Sequence, residues 1–390
     1  MSIRRAEHWT QLLRRRTTSG TWLPEIDGLR FVAIASVLMF HIQGQFEHHY
    51  KLEALFPFAL LIHIFDLGYR GVPLFFAVSG FILALPFARH HLFEARRPSL
   101  RHYLLRRITR LEPPYLLNLF LVATGAALVN HQTPRSLLPH LAASAAYLHY
   151  AVFREPSTIN SVAWSLEVEV QFYLLAPLLC LVFCVSRHTT RRALLACLIA
   201  IAGMVQISLG LSQFTLAGNL QYFFAGLLVA DLYLVSMPKW RNSYSFDLLG
   251  GLSLGAFFLL DKRGSALWLP WIIAAIFAAT LRGKAIGTAL RTPVIAITGG
   301  MCYTIYLWHA PVLTLVDRAA RHFAFLTPSN YGLLLARQLP IKLAAVALIC
   351  LPLFLWVERP CMDPGWPRRV TEWLRNAVTP LREMASARER

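Results

Sequence analysis

Apolar blocks of about twenty residues recur along the chain, separated by short polar segments. Wound as a helix at about 1.5 Å per residue, each block matches the roughly 30 Å hydrocarbon core of a bilayer. Ten spans are predicted, at residues 28–47, 71–88, 111–130, 162–185, 193–210, 218–236, 245–260, 266–281, 293–316 and 337–357. The seventh and eighth are separated only by Asp261-Lys262-Arg263-Gly264-Ser265, long enough for a tight hairpin. With 56% hydrophobic and 15% charged residues, the chain is too apolar for an ordinary soluble domain, where about 25% are charged. The expected fold is an all-α polytopic membrane helical bundle of about ten transmembrane helices.

Basic residues orient that bundle. Placing the N-terminus inside puts 27 of the 38 Lys and Arg in inner segments and 8 in outer ones, with Arg30, Arg337 and Lys342 inside spans. The positive-inside bias therefore predicts that both termini are cytoplasmic. The chain divides into a basic N-terminal segment (1–27), a membrane domain (28–357) and a basic tail (358–390). The N-terminal segment has no signal-peptide apolar core, so the first span is expected to remain uncleaved. About thirty residues follow the last span, so any chemistry is expected within the bundle. The net charge of +18 is spread between spans, with no aromatic-interleaved basic domain. That spread argues against a nucleic-acid partner and for membrane lipids and a polyanionic co-substrate. Cys180 and Cys184 sit four apart, but nothing completes a metal site, so they read as small packing residues. The outer loops 48–70 and 131–160 mix apolar and polar residues, and suit either re-entrant roofing helices or solvated loops with aromatic anchors.

Arg30 and His41 lie eleven residues apart within the first span. Eleven residues make almost three turns, so both project from one helix face, roughly 16 Å apart. Arg30 alone could snorkel to the interface and His41 alone could be a packing donor. Together, two such groups at membrane depth point to function. Asp27 is expected to precede this helix and accept from its free N–H groups. In the second span Ser79-Gly80 forms a small pair that permits close backbone approach. Arg106, Arg107 and Arg110 recur three to four apart, a basic helical face suited to forked phosphate contacts. Glu167 and Glu169, two apart, point to different faces and cannot act as an acid/base dyad; Gln171 and Tyr173 follow. Tyr306-Leu307-Trp308-His309-Ala310-Pro311 lies in the ninth span, and Glu358-Arg359-Pro360 closes the tenth as an interfacial charge pair.

Taken in order, these segments resemble the acyltransferase-3 family of integral membrane O-acyltransferases. The resemblance runs from Asp27 to Pro360. It rests on Asp27-Gly28-Leu29-Arg30 with ten residues before His41, Gly71-Val72 through Ser79-Gly80-Phe81, and Arg106-Arg107-x-x-Arg110-x-x-Pro113-x-Tyr115. It continues with Trp164-Ser165-Leu166-x-Val168-Glu169-x-Gln171-Phe172-Tyr173, Tyr306-Leu307-x-His309-x-Pro311 and Glu358-x-Pro360. The resemblance implies that Arg30 and His41 are an essential pair and that Glu169, not Glu167, is the matching carboxylate. It also implies acyl-CoA, by default acetyl-CoA, as a co-substrate with no bound cofactor or metal. The implied acceptor is a glycan or other hydroxylated molecule, and the implied location the bacterial inner membrane. Pro73 departs from the pattern, because many members place an acidic residue after Gly-Val. The esterase-like domain common after the membrane part is expected to be absent.

Acyl transfer from a thioester to a hydroxyl needs a base and stabilisation of the oxyanion. The expected scheme makes His41 the base and gives Arg30, with Arg106, Arg107 and Arg110, the donor's phosphate or pantetheine end. Glu169 would orient His41 or the acceptor. Asp27, Ser79, Tyr173, His309 and Glu358 would support the acceptor or the structure. The competing reading is a proton-coupled transporter of a glycan or small molecule. Matching broken helices in two repeated halves would mark that class, and the sequence has none.

Overall fold

The computed structural model describes residues 13–15, 22–50, 57–129, 131–326, 330–363, 365–369 and 371–372. The expected basic tail beyond residue 372, and most of the N-terminal segment before residue 22, lie outside the described residues. The described residues form helices and connecting turns, without a strand. The principal helices are α1 (Pro24–Tyr50), α2 (Gly71–Phe93), α3 (Leu100–Val129), α4 (Trp164–Leu179) and α5 (His188–Ser208). They continue with α6 (Leu220–Asp231), α7 (Tyr244–Leu259), α8 (Ser265–Arg282), α9 (Cys302–Ala320) and α10 (Tyr331–Leu353).

Among the described residues, seven helical segments are long and apolar enough to cross a membrane. They correspond to seven of the ten predicted spans. The other three differ for physical reasons. α7 is only 16 residues long. α1 and α9 are long enough, but carry the polar and charged groups that drew attention in the sequence. The predicted ninth span is moreover broken, with a short helix Pro293–Gly300 ending before Met301 and α9 starting at Cys302. Apolar side chains such as Leu348 and Trp356, 74% and 78% exposed, coat the outside. That surface belongs in lipid, and the chain is an integral membrane protein.

In lipid, apolar burial drives helix association weakly, so close approach and polar contacts hold the bundle. α2 and α6 form one such contact. A Cβ at Gly80 would collide with the Phe223 carbonyl oxygen, and one at Gly226 with the Ala77 carbonyl oxygen. Only hydrogen at both positions lets the two backbones touch. Phe223 then stacks between Phe76 and Phe172, at centroid distances of 4.8 and 3.9 Å. A second apolar cluster joins α1 to α9 and α10 through Ile34, Ile42, Phe46, Leu313 and Val346. Gly299, in the short helix before that break, serves the same end, because a Cβ there would overlap the carbonyl of Asp27.

Prolines inside helices remove N–H donors and orphan the carbonyls four residues earlier. Pro311 orphans the Leu307 carbonyl of α9, which accepts instead from Asn118 Nδ2 and Asn160 Nδ2, each at 3.0 Å. Pro113 orphans Thr109 in α3, and the indole of Trp366 donates to that carbonyl at 3.0 Å. Of the two outer loops, 48–70 contains Phe58–Asp66 and a tight turn that leads directly into α2. The loop 131–160 contains the short helices Pro134–Ala145 and His149–Phe153.

The glycine contact carries a test. Gly80→Ala should lower the melting temperature of detergent-solubilised protein, with a loss of about 1–3 kcal/mol, as overpacking costs elsewhere. Gly251→Ala, at a position with open space around it, should leave the melt unchanged or raise it slightly. Equal melts for both variants would contradict the close approach.

Candidate active site

Asp27 organises one end of the site. α1 begins at Pro24, so Asp27 lies inside the first turn rather than ahead of it, which corrects the expected capping role. Its buried carboxylate is consumed by side chains instead. Arg30 Nη1 donates at 2.7 Å, Trp22 Nε1 at 2.7 Å and Arg15 Nε at 3.0 Å. The i,i+3 spacing within one turn brings Arg30 back onto Asp27. Arg14 lies over the Trp22 ring at 3.5 Å, so residues 13–15 lie against the start of α1.

A cavity opens between α1, α2, α3, α4 and α9, enclosing about 840 Å³ with its mouth included. Its wall carries Arg30, Arg107, Arg110, Ser79, Glu169 and Tyr173, as well as Ser165, Tyr303 and Tyr306. The helical register separates the three arginines of α3. Arg106 is exposed and donates to the His102 carbonyl at 3.1 Å, away from the cavity. Arg107 lies over the rings of Tyr173 and Tyr103, at 5.7 and 6.0 Å. Arg110 approaches Glu358 at 3.7 Å.

Glu358 is fully buried, not interfacial as expected. Its Oε2 accepts from the Thr304 backbone N–H at 3.0 Å and the Thr304 hydroxyl at 2.5 Å. A π-helical turn, Phe354–Glu358, presents it to α9. A carboxylate this deep requires such partners, since an unpaired one is costly. Glu169 receives a short hydrogen bond from the Ser79 hydroxyl, so among the described contacts Ser79, not His41, is its partner. Tyr306 ties α9 to α4: its hydroxyl accepts from Ser165 Oγ at 3.0 Å and donates to the Val162 carbonyl. Tyr303 donates to the Leu111 carbonyl at 2.8 Å, tying α9 to α3.

His41 is not part of the cavity wall. It lies beyond Tyr306, against His309, with the two imidazole centroids 5.0 Å apart and Tyr306 to His309 at 6.4 Å. Arg30 and His41 nonetheless share the α9-facing side of α1, since Arg30 meets Cys302 in the cavity wall and His41 meets His309 two turns along. Among the described residues, no group of three or more His, Cys, Asp or Glu side chains is arranged to hold a metal ion. The arrangement offers cationic binding of an anionic or carbonyl-bearing molecule at one end and an imidazole pair at the other.

Sequence reasoning missed Arg15, Trp22, Asn118 and Asn160. Arg15 and Trp22 sit in a segment that reads only as basic and polar. Asn118 was discoverable as a lone amide in an apolar block, but its partner carbonyl, four residues before Pro311, lies 189 positions away.

A profile described as an acyltransferase domain matches residues 23–359. A provisionally named O-acetyltransferase of Staphylococcus aureus (strain COL) is 22% identical over 332 residues, covering 76% of this chain and 51% of the relative. The O-acetyltransferase OatA of Staphylococcus aureus (strain NCTC 8325 / PS 47) is 22% identical over 340 residues, covering 77% and 52%. The chain thus spans about half the length of these curated relatives. No solved structure matches. Since the profile takes in all the helices that line the cavity and both histidines beyond it, the chain belongs to the acyltransferase-3 family.

Proposed function

We propose that the protein is an O-acyltransferase that moves an acyl group, by preference acetyl, from acyl-CoA to a hydroxyl of a glycan or other hydroxylated acceptor. The observation that carries this reading is the cavity inside the bundle with Arg30, Arg107 and Arg110 on its wall. Three guanidiniums from two helices suit the phosphates and polar arm of a CoA thioester. The relatives' names, which give O-acetyl transfer, support the same chemistry. The basic bias of the inner segments supports a cytoplasmic mouth for the cavity, both termini in the cytoplasm, and the bacterial inner membrane as the location. In this orientation residues 1–27 and 358–390 flank the membrane domain 28–357 on its cytoplasmic side.

The donor's thioester end would pass Tyr306 toward His41, and the acceptor would meet it from the outer side. His41 takes the hydroxyl proton as general base. Arg30, held by Asp27, is about 16 Å along the helix from His41 and serves the donor rather than the reacting carbonyl. Arg107, steadied by Tyr173, and Arg110, steadied by Glu358, complete the donor site. Glu169, fixed by Ser79, balances these cations and orients the donor arm. Arg106, exposed at the membrane edge, would assist capture of the donor.

Two variants test the reading in proteoliposomes supplied with labelled acetyl-CoA and candidate glycans. His41→Ala should reduce ester formation by about 10²–10⁴-fold while the protein still inserts and accumulates. Full activity in that variant would remove the proposed base, and flux of the glycan without ester would favour the carrier reading. Arg107→Ala should weaken acetyl-CoA binding by about 1.5–3 kcal/mol, roughly 10- to 150-fold, as expected for charge-assisted contacts, with acceptor affinity unchanged. Unaltered donor affinity, measured by calorimetry, would refute the donor site.

A further inference from the structure

A second imidazole buried beside a catalytic one needs an explanation that helix packing does not provide. His309 is fully buried. Its Nδ1 lies 3.0 Å from the Ile305 carbonyl and 2.8 Å from the Tyr306 carbonyl. Carbonyl oxygens only accept, so Nδ1 must carry the proton. In the neutral ring Nε2 then holds a bare lone pair. That atom is buried and has no hydrogen-bond partner among the described residues. An unpaired acceptor in such a place is costly, and the neighbouring ring of His41, 5.0 Å away between centroids, carries an N–H that could serve it. Two imidazoles at that centroid separation are close enough for an N–H···N hydrogen bond of about 2.7–3.2 Å once a nitrogen of each ring is turned toward the other.

We infer that His309 is the positioning residue for His41: its Nε2 accepts a hydrogen bond from the ring N–H of His41. This inference rests on the proposed acyl transfer. The bond fixes which His41 nitrogen carries the proton and leaves the other, with its lone pair, for the acceptor hydroxyl. The chain of restraint is backbone to His309 to His41, so the base is aimed by two carbonyls of α9 rather than by a carboxylate. The hydroxyl proton moves to the open nitrogen of His41 as the hydroxyl oxygen bonds the thioester carbonyl carbon. The C–S bond then breaks, and the CoA thiolate takes that proton from His41. His309 keeps its own proton throughout and, by accepting from His41, stabilises the transient imidazolium.

The test uses the full-length protein in lipid bilayers with ¹⁵N-labelled histidine. The wild-type spectrum should show His309 as the Nδ1–H form, His41 as a single neutral tautomer, and a through-bond coupling between a His41 nitrogen and His309 Nε2. Absence of that coupling overturns the proposal without any variant being made. His309→Asn retains a donor for the two carbonyls but lacks the distal acceptor, whereas His309→Gln restores an acceptor near the Nε2 position. In His309→Asn the His41 signals should spread over both tautomers, and kcat should fall about 10- to 100-fold with the KM for acetyl-CoA unchanged. In His309→Gln a single His41 tautomer and most of kcat should return. Equal behaviour of the two variants, or a change confined to KM, would overturn the assignment. If the coupling and the tautomer change appear but no ester forms in wild type, the histidine pair stands and the proposed reaction fails.

Discussion

One carboxylate, Asp27, determines what this end of the bundle can do. Three donors converge on it, from Arg15, Trp22 and Arg30. Arg30 would be prohibitive to hold among apolar helices as a lone cation. Pairing within its own helical turn stabilises it there while leaving it on the cavity wall. The same carboxylate holds Arg15 and Trp22 against the start of the helix. Gly299, lacking a Cβ, brings the backbone of the broken helix against the Asp27 carbonyl. The cavity's cationic character thus begins with an anion.

The other charged groups of the site follow the same logic. Arg110 has Glu358, Glu358 has Thr304, Glu169 has Ser79, and Arg107 has the faces of two tyrosines. Each of these charged groups is steadied by a neighbour on a different helix, so the electrostatic site and the helix packing are one structure. For fully buried Glu358, removing a partner leaves the charge uncompensated, at a cost of about 3–5 kcal/mol. Functional and structural roles are therefore coupled at every position, and activity loss alone would not separate them.

Much of this was legible in the sequence. Apolar block length gave the helical membrane class, because bilayer thickness is a hard constraint. Helical spacing put Arg30 and His41 on one side of α1, and ordered motifs marked the residues of the cavity wall. What could not be read was partnership. Asp27 read as a cap for the first helix, whereas the structure puts it inside the first turn and pairs it with Arg30. Glu358 read as interfacial because it ends a span, and the π-helical turn that carries it inward has no sequence signature. Arg106 and Arg107 are adjacent in sequence, yet one helical residue step of about 100° sends one to the surface and the other to the cavity. His309 and His41 belong to separate motifs, and only the parallel packing of α1 against α9 brings them together.

The carbonyl left open by Pro311 has a mechanical consequence. Two amides from two separate elements, Asn118 on α3 and Asn160 in the loop before α4, converge on that single oxygen of α9. Such a fork resists translation of α9 along its axis, since any slide of a few ångströms strips both amides at once in a medium without water to replace them. α9 is therefore pinned like an axle rather than free as a piston.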